Sequence, residues 1–257
     1  MSKRYRHLAH YYDAEHAYLK MLQQDVPFML AHMPRRSQRV LELCAGTGRA
    51  AIPLAQAGHR VCGVDFAKDM LEIASQKRTV CGLSEAQLRL VHTDVLKLDL
   101  GETFDWIFIL FNTFLSFTTL DEQDRVLQGV VRHLKPRGTF WIDIFNPDLR
   151  LIADAKLTNL EPSAFYVPTL RRGVFKVTDI LRTGPQTERV TFRYVWFDDD
   201  GQEHRQSTSY DMTFVSAREL ELILHRSGLR IVELWGNYDG SRLTTNCPRI
   251  IARCCRM

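Results

Sequence analysis

The sequence predicts an α/β protein, a parallel sheet with crossover helices that is interrupted late in the chain by an antiparallel meander. Three observations lead there. From residue 39 to 145, short apolar runs alternate with segments of helical spacing, a pattern that calls for parallel strands joined by crossovers. The first run ends in a glycine turn, Cys44-Ala45-Gly46-Thr47-Gly48. After Phe145 the alternation gives way to three β-rich runs punctuated by turn residues. Composition agrees: 257 residues, 45% hydrophobic and 25% charged, suffice for one large core with a modest insertion and are too apolar for a disordered chain.

Each element has its own signature. Between residues 8 and 33, Tyr18, Leu19, Leu22 and Met29 recur at helical spacing around a break at Pro27, so helices are expected to cap the sheet. Val40 to Leu43 is the first strand. The helix after it is expected to begin near Thr47, with Pro53 in its first turn or so, where a missing N–H matters least. Val61 to Asp65, Leu90 to Val95 and Phe104 to Phe111 follow as strands. Leu134-Lys135-Pro136-Arg137-Gly138-Thr139-Phe140 reads as a turn into a fifth strand ending at Phe145. Asn146-Pro147-Asp148 breaks that strand, and a short helical or irregular stretch is expected next. Val174 to Leu181, Arg189 to Phe197 and Arg205 to Phe214 then form the meander, with turns at Thr183-Gly184-Pro185 and Asp198-Asp199-Asp200-Gly201. Ser216 and Glu219 make a capping box for a helix through His225 that stops near Gly228. Arg230 to Trp235 and Pro248 to Cys254 supply the last two strands. The expected division is a helical cap at 1–38, a ligand-binding domain at 39–147 and 215–257, and an inserted subdomain at 148–214.

The glycine turn carries the chemistry. Gly46 and Gly48 let the backbone approach a ligand, and Asp65 at the tip of the second strand is placed to accept from both ribose hydroxyls. Two ligand classes compete. Gly46-Thr47-Gly48-Arg49-Ala50-Ala51 is a permissive nicotinamide fingerprint, with its acid 19 residues after Gly46. Glu42, however, puts a second carboxylate at the end of the first strand, where it would repel a pyrophosphate and suit an ammonium and a sulfonium. S-adenosylmethionine carries both and no phosphate.

On these residues the chain resembles the class I S-adenosylmethionine-dependent methyltransferases. Their acid-x-Gly-x-Gly-x-Gly motif maps onto Glu42, Cys44, Gly46 and Gly48, with Ala45 in the loop and Cys44 in place of the first glycine. The resemblance implies a Rossmann-like, doubly wound seven-stranded sheet with the meander inserted after strand five. It implies that Asp65 holds the ribose, that Phe66 and Met70 pack on adenine, and that Asp94 and the Val95 N–H meet the edge of the base. Asn112 and Thr113, after strand four, are expected to face the same site. The layout is similar to amino-sugar and to glycine or sarcosine N-methyltransferases, which implies a small-molecule acceptor. Tyr11, Tyr12, Asn237 and Tyr238 are the candidates for lining its site, and the meander should serve as acceptor wall or as the surface of a homodimer.

A nitrogen acceptor needs only to arrive deprotonated, whereas a hydroxyl usually needs a base. His10, His16, His92 and His225 are available, and nothing in the sequence singles one out, so no catalytic residue is assigned. Asp143 and Asn146 suit an acceptor contact and a structural turn equally. Alternatives of other classes are a nucleobase methyltransferase, a nicotinamide-dependent oxidoreductase and a nucleoside sensor without turnover. The first is disfavoured by Asn112-Thr113-Phe114-Leu115, which lacks the two prolines of such enzymes, and by the absence of a basic stripe. The net charge of +4, from 34 basic and 30 acidic residues, says little about partners, and no nucleic-acid partner is expected. Residues 1–7 lack the apolar core of a secretory signal, and no apolar run is long enough to span a bilayer. Six cysteines without metal spacing point to no metal site, free thiols and a cytoplasmic location.

Overall fold

A computed structural model describes residues 9–17, 19–148 and 152–257, with the side chains of His10 and Lys20 excluded. Tyr18 and the 1–8 segment of the expected cap lie outside the described residues, as does the His10 side chain. The ligand-binding half is a mixed seven-stranded sheet. Its parallel part comprises β1 (Arg39–Leu43), β2 (Arg60–Asp65), β3 (Leu88–His92), β4 (Phe104–Ile109) and β5 (Leu134–Phe145). These pair in the order β5-β4-β1-β2-β3. The strands β10 (Leu229–Trp235) and β11 (Arg249–Arg256) complete the β5 edge, with β11 antiparallel to both neighbours. The order reverses between β1 and β4, and ligands of open α/β sheets bind beyond the strand ends at such a switch point.

Local chemistry explains the elements. Leu41 and Leu43 of β1 join one apolar cluster and Val40 joins the opposite one, as expected of a central parallel strand covered on both faces. Helix α3 is only Ala51–Gln56, later and shorter than the expected start near Thr47. Residues 46–50 stay in turns because Gly46 and Gly48 take left-handed backbone angles (φ 54° and 76°). Pro53 falls at the third helical position, where no intrahelical N–H is lost. Helix α4 is Lys68–Val80. Helix α5 (Leu120–His133) opens on a reciprocal capping box between Thr119 and Glu122 and buries Val126, Leu127 and Val130. The expected turn at Leu134–Thr139 is instead part of β5, with a register shift between Phe104 and Trp106 of its partner β4.

Two short helices lie amino-terminal to the sheet, α1 (Ala9–His16) and α2 (Asp25–His32). α2 presents Phe28 edge-on to Trp141 and Trp235, which stack on each other at 5.1 Å. Among the described residues, no helix is long and apolar enough to cross a membrane.

The meander is a four-stranded antiparallel sheet of β6 (Lys156–Val167), β7 (Arg172–Arg182), β8 (Thr187–Phe197) and β9 (Glu203–Thr213). β6 corrects the expected helical or irregular stretch. Its pairing with β7 slips twice, Asn159 and Glu161 are left-handed (φ 55° and 47°), and it contains Pro162. Those irregularities erase the period-two pattern and suit an edge strand. Helix α6 (Ala217–Arg226) starts at Ser216, whose side chain accepts from Glu219 N. Glu219 spends its own carboxylate on Gln186 Nε2 at 2.8 Å, tying the helix to the meander.

Candidate active site

Beyond the ends of β1, β2 and β3 lies a cleft of about 320 Å³. Seven of the expected cofactor residues line it: Cys44, Gly46, Asp65, Phe66, Met70, Asp94 and Val95. The glycine turn is held open by Asp65, whose Oδ2 accepts from Gly46 N and whose Oδ1 accepts from Ala67 N, both at 2.8 Å. Burial pushes the Asp65 carboxyl up from its usual range, and these backbone donors oppose the shift. A carboxylate has about four lone-pair sites, so Asp65 can still accept from a ligand. Cys44 occupies the left-handed region at φ 57°, the conformation that the family's glycine would adopt without a Cβ penalty. Asp94 Oδ1 accepts from Leu96 N at 3.0 Å and so caps a short turn at Val95–Lys97. This fixes the backbone at the edge of the cleft.

Three expected cofactor residues shape the loop from behind. Ala45 is buried, and a Cβ added to Gly63 of β2 would stand 2.9 Å from the Ala45 Cβ, so only glycine there lets β2 pass. Gly48 packs against Ala74 and Ile52. Glu42 is buried beneath the turn, and its Oε2 has no hydrogen-bond partner. Desolvation drives the Glu42 carboxyl up to about 8, only partly offset by Arg49. A buried acceptor without a donor is costly, and an ammonium is the kind of group that would satisfy it. Cleft and carboxylates together thus fit a sulfonium nucleoside with an amino-acid tail.

This arrangement predicts an unusual stability profile. The folded carboxyl holds its proton up to about 8, whereas the unfolded one releases it near 4.5. The folded state therefore binds more protons across that window, and stability falls as pH rises through it. Each tenfold step in the proton equilibrium is worth about 1.4 kcal/mol. Urea melts of the ligand-free protein between about pH 5 and about pH 8 should show the decline, and Glu42→Gln should flatten it. An unchanged slope in the variant would mean that another group dominates.

The other expected site residues are placed differently. Tyr12 lines the cleft, but Tyr11 is buried and stacks on Tyr194 of β8 at 5.3 Å. Asn112 does not line the cleft. Its Oδ1 accepts from Phe145 N at 2.7 Å and stitches the tip of β4 to β5. Tyr238 is also not a cleft residue: it is buried, and its hydroxyl donates to Asp143 Oδ2 at 2.7 Å. Desolvation, followed by the Asp143 charge, holds the phenol well above its usual range. Asn237 folds back to accept from Tyr238 N. Asp143 itself is buried and receives Arg249 through Nε at 2.9 Å and Nη2 at 2.6 Å. Asn146 Nδ2 donates to the carbonyls of Thr244, Thr245 and Cys247. Both are therefore structural.

Thr113, expected with Asn112 to face the site, lines the cleft, and so do Ala67, Leu96, Ser116 and Phe117, which sequence reasoning missed. Thr113, Ser116 and Phe117 follow Phe111 and Asn112, consecutive left-handed residues (φ 50° and 66°) that turn the chain back over the pocket. Asp143 supports that turn, its Oδ2 accepting from Phe111 N at 3.2 Å and its carbonyl from Asn112 N at 3.1 Å.

α1 closes the cleft by touching both halves of the molecule. Asp13 accepts from the Thr47 hydroxyl at 2.7 Å and from Lys77 Nζ at 3.0 Å. On the far face Glu15 pairs with Lys176 of β7 and accepts from the Tyr194 hydroxyl at 3.2 Å.

Comparison with known proteins supplies the deciding observation. Residues 40–138, the segment holding Glu42, Asp65 and Asp94, match the methyltransferase domain family. This segment is a methyltransferase domain, which makes the chain an S-adenosylmethionine-dependent methyltransferase. A cypemycin N-terminal methyltransferase from Streptomyces sp. is 27% identical over 227 residues, covering 88% of this chain and 86% of that protein. Among solved structures, an S-adenosylmethionine-dependent methyltransferase from Clostridium acetobutylicum shares the fold with a TM-score of 0.77 at 18% identity, over 98% of both chains. The sugar N-methyltransferase KedS8 from Streptoalloteichus superposes with a TM-score of 0.72 at 19% identity, over 96% of this chain and 92% of that one. In this methyltransferase the seven-stranded sheet and the added antiparallel sheet accord with the Rossmann-like architecture expected from sequence.

Proposed function

We propose that this methyltransferase transfers a methyl group to an amine nitrogen of a small molecule or peptide terminus, in the cleft between α1, the β4 tip and the antiparallel sheet. The carrying observation is the orphaned, buried Glu42 carboxyl under a glycine turn whose ribose-side acid, Asp65, still has acceptor capacity. In this reading Asp65 holds the ribose, Phe66 and Met70 flank adenine, and Asp94 with the Val95 N–H takes the base edge. Glu42 answers the ammonium. S-adenosylmethionine, when bound there, supplies an electrophilic methyl group. The protein's part is to align the acceptor and exclude water, and alignment can contribute roughly 7 to 11 kcal/mol.

The choice of nitrogen rests on likeness to the cypemycin N-terminal methyltransferase and the sugar N-methyltransferase KedS8. The inserted sheet, β6 to β9, is assigned as the acceptor wall because α1 joins it to the cleft through Tyr11, Glu15 and Lys176. That reading divides the chain into a cap (1–38), a nucleoside-binding domain (39–147 and 215–257) and a wall (148–214).

Calorimetry tests the proposal. S-adenosylmethionine should bind with micromolar affinity, and binding should tighten as pH rises toward about 8, because an ammonium prefers the ionised Glu42. Affinity that weakens over that range would remove Glu42 from the site, and absence of binding would overturn the assignment.

A further inference from the structure

We propose that His16 takes the proton from the acceptor amine, through its Nε2 atom. The inference rests on the amine reading above and adds the residue that makes an ammonium reactive at neutral pH. His16 is the last residue of α1, one turn beyond Tyr12, and the two rings lie 4.0 Å apart. Its other neighbour is Phe111, met edge-on at 5.3 Å, at the tip of β4. Tyr12 lines the cleft, and Phe111 opens the turn that delivers Thr113 to it. The imidazole does not itself line the nucleoside cleft; it stands beside Tyr12, which does, on the helix that also meets the antiparallel sheet.

The hydrogen bond of His16 fixes which nitrogen can act. Nδ1 lies 2.6 Å from the Tyr12 carbonyl oxygen, which can only accept, so Nδ1 carries the hydrogen. In the neutral ring the lone pair is then on Nε2. Burial, more than the surrounding charges, favours the neutral form. Burial lowers the His16 pKa from its ordinary value, Glu15 and the Tyr12 carbonyl oppose that, and Arg49 and Lys176 reinforce it.

Other groups at this end of the cleft are already engaged. Asp13 serves Thr47 and Lys77, Glu15 serves Lys176 and Tyr194, and Asp25 binds Arg49 through both oxygens, at 3.0 and 2.6 Å. Asn112 is tied to Phe145.

The step balances simply. The N–H bond of the ammonium breaks, its proton forms a bond to Nε2, and the electron pair stays on the amine nitrogen. That pair makes the new N–C bond as the donor's C–S bond breaks with its electrons on sulfur. The imidazolium then returns its proton to solvent.

The test combines spectroscopy with a pH profile. The full chain labelled with ¹⁵N-histidine is compared with His16→Asn, which preserves a donor for the Tyr12 carbonyl but lacks any counterpart of Nε2. The resonance lost in the variant identifies His16. It should show the Nδ1–H tautomer and titrate below free histidine. Methyl transfer from labelled S-adenosylmethionine is then followed with glucosamine and with a tripeptide bearing a free alanine amino terminus. Wild-type kcat/KM should stay level between the His16 pKa and that of the amine. The variant should lose about tenfold per pH unit below the amine's pKa while binding S-adenosylmethionine as wild type does. An Nε2–H tautomer, or profiles of the same shape, overturns the role of His16 and leaves the methyltransferase reading intact. Failure of a wild-type protein that binds S-adenosylmethionine to methylate either probe overturns the amine reading and this proposal with it.

Discussion

Asp143→Ala is expected to destabilise the protein by about 3 to 5 kcal/mol, the usual consequence of leaving a buried cation without its partner. Arg249 is 2% exposed, and among the described residues its guanidinium is paired with Asp143 Oδ1 alone. Removing the carboxylate also strips the Tyr238 hydroxyl and Phe111 N of their acceptor. The loss should therefore exceed that in Tyr238→Phe, which deletes one hydrogen bond worth about 1 kcal/mol. Denaturant melts of the two variants provide the comparison. A deficit under about 1 kcal/mol in Asp143→Ala would show that water reaches the site and that the pair is not truly buried. S-adenosylmethionine affinity should fall as well, because Phe111 and Asn112 are left-handed non-glycine residues, each costing roughly 1 to 2 kcal/mol. Without Asp143 that turn relaxes and withdraws Thr113, Ser116 and Phe117 from the cleft.

Asp65→Ala should weaken S-adenosylmethionine binding by about 1.5 to 3 kcal/mol, roughly 10- to 150-fold, from the charge-assisted ribose contacts alone. The larger end is expected, since the carboxylate has a second duty. It receives Gly46 N and Ala67 N, and so fixes the turn and the start of α4 that frame the pocket. Asp65→Asn separates the two duties, because its single carbonyl can serve only part of this set. Calorimetry should rank wild type above Asn and Asn above Ala. Equal affinity across the series would remove Asp65 from the ligand.

The legible part of the site was what neighbouring residues specify together. The acid at a strand tip and the glycines after it make a turn whose geometry is nearly local, so Gly46 and Asp65 could be read from the residues, and Asp94 from the resemblance to the methyltransferases. Asn112 and Tyr238 lie away from the cleft because they bind partners distant in sequence: Phe145 lies 33 residues from Asn112, and Asp143 lies 95 from Tyr238. Polar residues near a strand end suit a pocket or a brace equally well, and only the fold decides. Ser116 and Phe117 were hidden by Phe111, a bulky side chain in a backbone region where residues of its kind are outliers. β6 was hidden because two slips in its pairing destroy alternation. Most of the sheet was predictable since its strands are buried on both faces and read as unbroken apolar runs.

Asp13 and Glu15, two residues apart on α1, point to opposite sides of the helix. One is moored to the glycine turn and the other to the antiparallel sheet. A bulky fusion pulling on the chain ahead of Ala9 would strain both moorings together, loosening the glycine turn and the antiparallel sheet in a single displacement.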